Sequence, residues 1–67
     1  MEHIKEIHYE VIAALEHLDE VYRCIDNAIA LSVDTAYLQD ILGVAERNLG
    51  ISKMKLLVAS DITESKI

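Results

Sequence analysis

The chain contains no proline, no tryptophan and no phenylalanine, and has two glycines among its 67 residues. Turn-forming residues are therefore too scarce for an all-β domain, which needs them every few positions. Cysteine occurs once, at Cys24, so no disulfide within one chain can brace the fold. A lone cysteine also fits a reducing compartment. Long apolar runs are missing as well. Stretches such as Leu56-Leu57-Val58-Ala59 fall far short of the roughly 20 residues needed to span a membrane. The N-terminal segment carries Glu2, His3, Lys5 and Glu6 where a secretion signal has a basic region and then an apolar block. A cytoplasmic protein without membrane contact is the expectation.

What is present points to helices. Hydrophobic residues make up 52% of the chain, and low-complexity tracts are absent, which argues against disorder. A chain of 7.5 kDa forms one domain over 1–67 at most, and it buries little surface by itself. Without disulfides, the general route to stability at this size is a partner chain or a metal.

The first half has a heptad pattern. Ile4, Ile7, Val11, Ala14, Leu18, Val21, Ile25 and Ala28 alternate spacings of three and four, flanked by His8, Leu15, Tyr22 and Ile29. A stripe this wide suits a bundle core better than a bare two-stranded coil. It predicts a first helix from about residue 2 to about residue 31. Ser32-Val33-Asp34 interrupts the pattern. Asp34 is a candidate N-cap for the next helix, and Val33 with Leu38 is a candidate hydrophobic staple. So short a connection makes the two helices antiparallel neighbours.

The second helix is expected from about residue 35 to about residue 59. Leu38, Leu42, Ala45, Leu49, Ser52, Leu56 and Ala59 form its main stripe, widened by Ile41. Past Gly50, the residues Ile51, Met54 and Val58 form a second stripe well away from the first. Either the helix continues with two apolar faces, or it breaks at Gly50. Continuity is favoured, because a mid-helix glycine costs only about 1 kcal/mol. Gly43 and Gly50, seven apart, share a face that would admit a close neighbour. The polar residues 60–67 predict a frayed tail. The fold class is thus all-α, an antiparallel helical hairpin. A lone hairpin leaves a broad stripe wet, which predicts pairing into a dimeric four-helix bundle. Ile4, Ile7, Val11, Leu18, Val21, Ile25, Leu38, Leu42, Leu49 and Leu56 are the candidate self-association residues. In length and plan this resembles the Rop family of plasmid copy-number regulators, with no match of individual residues. Rop's RNA binding needs positive surface, which the first helix lacks.

Net charge is −6, and residues 1–31 hold seven acids against two bases. Such acidity repels phosphate backbones and disfavours nucleic acid as a partner. Glu2, Glu6, Glu10, Glu16 and Glu20 are expected on the side away from the stripe. That is a solvated face, or a docking face for a basic protein. Glu6, Glu10, Glu16 and Glu20, with the apolar Ile51, Met54 and Val58, are therefore the candidate partner-binding residues.

Chemistry-bearing sets are weak. His3, Glu10, His17 and Cys24 recur every seven residues, about 10 Å of rise apart, too far to share one metal ion within a chain. No glycine-rich loop can cradle a phosphate, and no nucleophile, base and acid stand at suggestive local spacing. No enzyme activity, metal or cofactor is expected. Ala45 to Val58, with Leu49-Gly50-Ile51-Ser52 at its centre, resembles the turn and second helix of helix-turn-helix DNA-binding domains. That resemblance implies a transcription regulator using Lys53 and Lys55. The pattern departs from the family at Glu46, which stands where a small residue is usual. The primary expectation is a small non-enzymatic module that self-associates and acts as adaptor, inhibitor or regulatory partner of another protein.

Overall fold

The computed structural model describes the backbone of residues 2–67 and the side chains of residues 3–67. Within them the protein is an all-α helical hairpin, with α1 over Glu2–Leu31, α2 over Ala36–Ser65, and no strand. The hairpin is a rod of 52 × 16 × 12 Å. Among the described residues, no helix is long and apolar enough to cross a membrane.

The apolar stripe of α1 divides when the helices pack. Ile4, His8, Val11, Leu15, Leu18, Tyr22, Ile25 and Ile29 are all half-buried or buried. Their spacings of four and three mark the stripe turned onto α2. Ile7 and Val21, from the heptad set read in the sequence, stay exposed. The flanking residues thus do much of the packing. Part of the expected seam is left at the edge.

On α2 the matching stripe is Leu42, Glu46, Leu49, Lys53, Leu56, Ser60 and Thr63, each half-buried or buried. It alternates leucine with polar groups. Lys53 reaches across to Asp19 at 3.7 Å and stands over the Tyr22 ring, 5.6 Å from its centre. Asp19 is 70% exposed, so this ion pair contributes at most about 1 kcal/mol.

The connection is tied down by hydrogen bonds, by residues other than those expected. Thr35 N–H donates to Ser32 C=O at 2.9 Å. The C=O of Ile29, near the end of α1, accepts from Ser32 Oγ at 3.1 Å and from Gln39 Nε2 at 3.2 Å. Thr35, not Asp34, is the N-cap, and it makes no side-chain capping bond. Val33 and Leu38 both remain exposed, so the expected staple buries neither.

α2 departs from the sequence expectation in two further ways. The helix does not break at Gly50, and the turn required of a helix-turn-helix is not formed there. The Tyr22 hydroxyl lies 3.4 Å from where a Cβ on Gly50 would stand, whereas Gly43 has nothing within 4 Å. The shared glycine face therefore admits one side chain, not a helix. Second, the tail is not frayed: α2 continues to Ser65, and Ser60 and Thr63 are among its most buried residues. The cause is a polar anchor. Thr63 Oγ1 donates to the Ala59 C=O at 2.9 Å, with the Ser60 C=O also near at 3.1 Å. Its lone pairs then accept from His8 Nδ1–H at 2.8 Å. Because the threonine proton is already used, this contact assigns the His8 proton to Nδ1.

Removing residues 60–67 is therefore expected to lower the melting temperature, and Thr63→Val alone to cost about 1 kcal/mol, read by thermal denaturation. An unchanged melt for both variants would contradict the anchor. Gly43→Ala is expected to stabilise by about 1 kcal/mol, since alanine is the better helix former and meets no neighbour. Urea denaturation of that variant checks it.

Candidate functional site

The packing leaves little interior. Leu18, at 9% exposure, is the one apolar residue among those described that counts as buried, and no side chain is fully enclosed. Most of the exposed large apolar side chains lie instead on two surfaces.

The first is a groove along one side of the hairpin. Near the open end it is lined by Ile7, Val11 and Ala14 from α1 and Leu56 from α2. Nearer the loop it is lined by Val21, Ile25 and Ala28 from α1 and Leu42 from α2. Of the residues read as self-association positions, the groove thus brings together Ile7, Val11, Val21, Ile25, Leu42 and Leu56. Leu18 is spent inside the hairpin. Ile4 and Leu49 are half-buried on the contact stripe, and Leu38 is exposed near the loop.

The second surface is the outer side of α2. Ile51, Met54 and Val58 are 58%, 67% and 56% exposed. The stripe is longer than the sequence reading made it. Tyr37, Ile41, Val44, Ile51, Val58 and Ile62 follow heptad spacing along the helix, and all are exposed. At about 100° per residue its centre lies roughly 140° from the stripe facing α1, so α1 cannot cover it. The signal was present in the sequence as alternating fours and threes, but Asn48 and Lys55 interrupt it. The leucine-rich stripe next to it is stronger.

The acidic residues do not form one outer face. Glu6 and Glu10 line the groove beside Ile7 and Val11, and Glu20 lines it beside Val21. Glu16 is exposed and lines neither stretch. The side chain of Glu2 lies outside the described residues. The physical reason is the rotation of α1. Turning His8, Leu15 and Tyr22 onto α2 swings the Glu6–Glu10–Glu20 edge round to the mouth of the groove. His17 and Cys24 share that edge, and Cys24 is exposed.

Polar chemistry is sparse. Among the described residues, no three His, Cys, Asp or Glu side chains come together in a group that would hold a metal ion. His3 Nδ1 and Glu6 form a local pair at 3.8 Å. On the opposite side from the groove, Glu46 of α2 faces Asp26 of α1. A hydrogen bond from one carboxyl to the other, together with their mutual repulsion and slight desolvation, raises the Glu46 pKa above its ordinary value.

Comparison with protein-family models, curated proteins and solved structures finds no match for this chain.

The Glu46–Asp26 contact has a definite pH signature. The folded chain holds this proton more tightly than an unfolded chain would. The contribution to stability is thus full in acid and lost as pH rises through the raised Glu46 pKa. Glu46→Gln is expected to raise the melting temperature at pH 7 and to leave it nearly unchanged at about pH 4, below the ordinary glutamate value of 4.5. Melts at the two pH values decide it, and an equal shift at both would refute the shared proton.

Proposed function

We propose that the protein is a small non-enzymatic interaction module that pairs with a second copy and serves as adaptor, inhibitor or regulatory partner of another protein. One observation carries the reading: apolar surface is left open in two stretches of groove and along the outer side of α2, on a hairpin with a single buried apolar residue among those described. The chain exposes 5215 Å². A compact monomer of this mass exposes roughly 4,200 Å² by the usual size scaling. The excess, on the order of 1,000 Å², is comparable to the roughly 800 Å² that each partner buries in a standard stable interface. Pairing through the groove gives a four-helix bundle. The acidic rim and part of the outer α2 stripe then remain for a further, basic or apolar, protein partner. A DNA-binding role has no such support: α2 is unbroken through Gly50, and Lys53 is folded back onto Asp19 and Tyr22.

Substitutions at groove positions test this better than substitutions inside the hairpin. Leu18→Asp would unfold monomer and dimer alike. Val21 is exposed in the single chain, so Val21→Asp is tolerated there and disrupts only a paired state. Light scattering at micromolar concentration is expected to give about twice the 7.5 kDa chain mass for the natural protein and a lower mass for Val21→Asp. A natural chain that scatters as a monomer refutes the pairing.

A further inference from the structure

We infer that the second copy lies in the groove with its loop at the same end as the first, so that α1 of each chain runs beside α2 of the other. This rests on the pairing proposed above and specifies its geometry. Two dyads bring hairpins together groove to groove. One runs parallel to the rod and gives the arrangement just stated. The other crosses the rod, puts the loops at opposite ends, and sets α1 beside α1 of the partner.

A dyad parallel to the rod keeps every residue at its own height. Facing residues are then those already level within one chain: Asp19 with Lys53, His8 with Thr63, and Ile29 with Gln39. Glu20, on the groove edge of α1, becomes level with the turn that carries the partner's Lys55. Glu6 becomes level with the end of α2, where the partner's Lys66 stands. At about 100° per residue, Lys55 lies within the outer stripe and Lys66 on its groove-side flank, so both stand on the side of α2 that turns toward that edge. Acids therefore meet lysines twice on each side of the bundle.

The loop end gives a separate argument. Leu31 is 87% exposed and Tyr37 75% exposed, and Ile41 is exposed as well. Leu31 continues the groove edge of α1 and, two residues past Ile29, is level with the turn that begins at Tyr37. In the same arrangement it falls between the partner's Tyr37 and Ile41, which gives three exposed apolar side chains a common contact. The transverse dyad does the reverse. It sets the Glu6–Glu10–Glu20 edge against the same acidic edge, which costs stability through like-charge repulsion. It also sets Leu31 beside the polar start of the partner's α1.

Loop-to-loop distance separates the two arrangements. A spin label is placed in the loop at Asp34→Cys, in a Cys24→Ser background, and dipolar spectroscopy reads the distance between copies. Adjacent helix axes lie about 8–10 Å apart, so labels at the same end are expected within about 25 Å, allowing for their tethers. Labels at opposite ends would lie near the 52 Å length of the rod. Light scattering of the labelled protein accompanies the measurement. A dimer with distant labels overturns this arrangement and leaves the pairing intact. A monomer overturns both. As a second arm, Lys55→Glu is expected to weaken association about fivefold, and adding Glu20→Lys to restore it. Association unmoved by Lys55→Glu, or not restored by the second change, overturns the charge pairing.

Discussion

Two helices packed side by side can each bury only one stripe, and everything else in this protein follows from that limit. A hairpin has no third layer, so even the residues between its helices keep an edge in water. Leu18 comes nearest to a core position, and the long side chains on either side of it remain partly exposed. With so little apolar burial, the single chain draws on polar contacts for its register. His8 on Thr63, Asp19 on Lys53 and Gln39 on the end of α1 are spread along the whole rod. Each is modest in energy, but together they fix how one helix is set against the other.

The distribution of apolar residues on α2 is the inverse of the usual pattern. Its face toward α1 alternates leucine with Glu46, Lys53, Ser60 and Thr63. Its outer side carries tyrosine, isoleucine and valine. One sign of the cost is the Glu46–Asp26 contact, where two carboxyls are held close enough to share a proton. A helix with apolar residues on two sides is suited to contact on two sides. That is the physical basis for reading this protein as an interaction module and not as a free-standing domain. In the pairing we propose, the acidic rim of the groove favours neighbours that bring lysine and disfavours those that bring carboxylates.

Much of the fold was legible from residue spacing. Two heptad stripes separated by a short break dictate two antiparallel helices, and the absence of proline leaves both uninterrupted. The helix ends were less legible. Asp34 has the chemistry of an N-cap but not the position, because Gln39 and Ser32 hold the loop to Ile29 in a geometry that makes Thr35 the cap. The tail looked polar and loose because Ser60 and Thr63 resemble surface residues. Only the nearness of His8, far away in sequence, turns them into an anchor.

The sequence by itself determined the helices, their antiparallel order and the existence of more apolar surface than two helices can cover. Those properties depend on spacing along one chain. Tertiary structure decided which edge of each stripe is spent inside the hairpin. Rotation of α1 by a fraction of a turn sends His8, Leu15 and Tyr22 inward. It leaves Ile7 and Val21 at the groove and carries Glu6, Glu10 and Glu20 to its rim. A heptad pattern does not specify that rotation, because neighbouring stripes on a wide apolar face are close alternatives. The choice is made by side chains from the other helix.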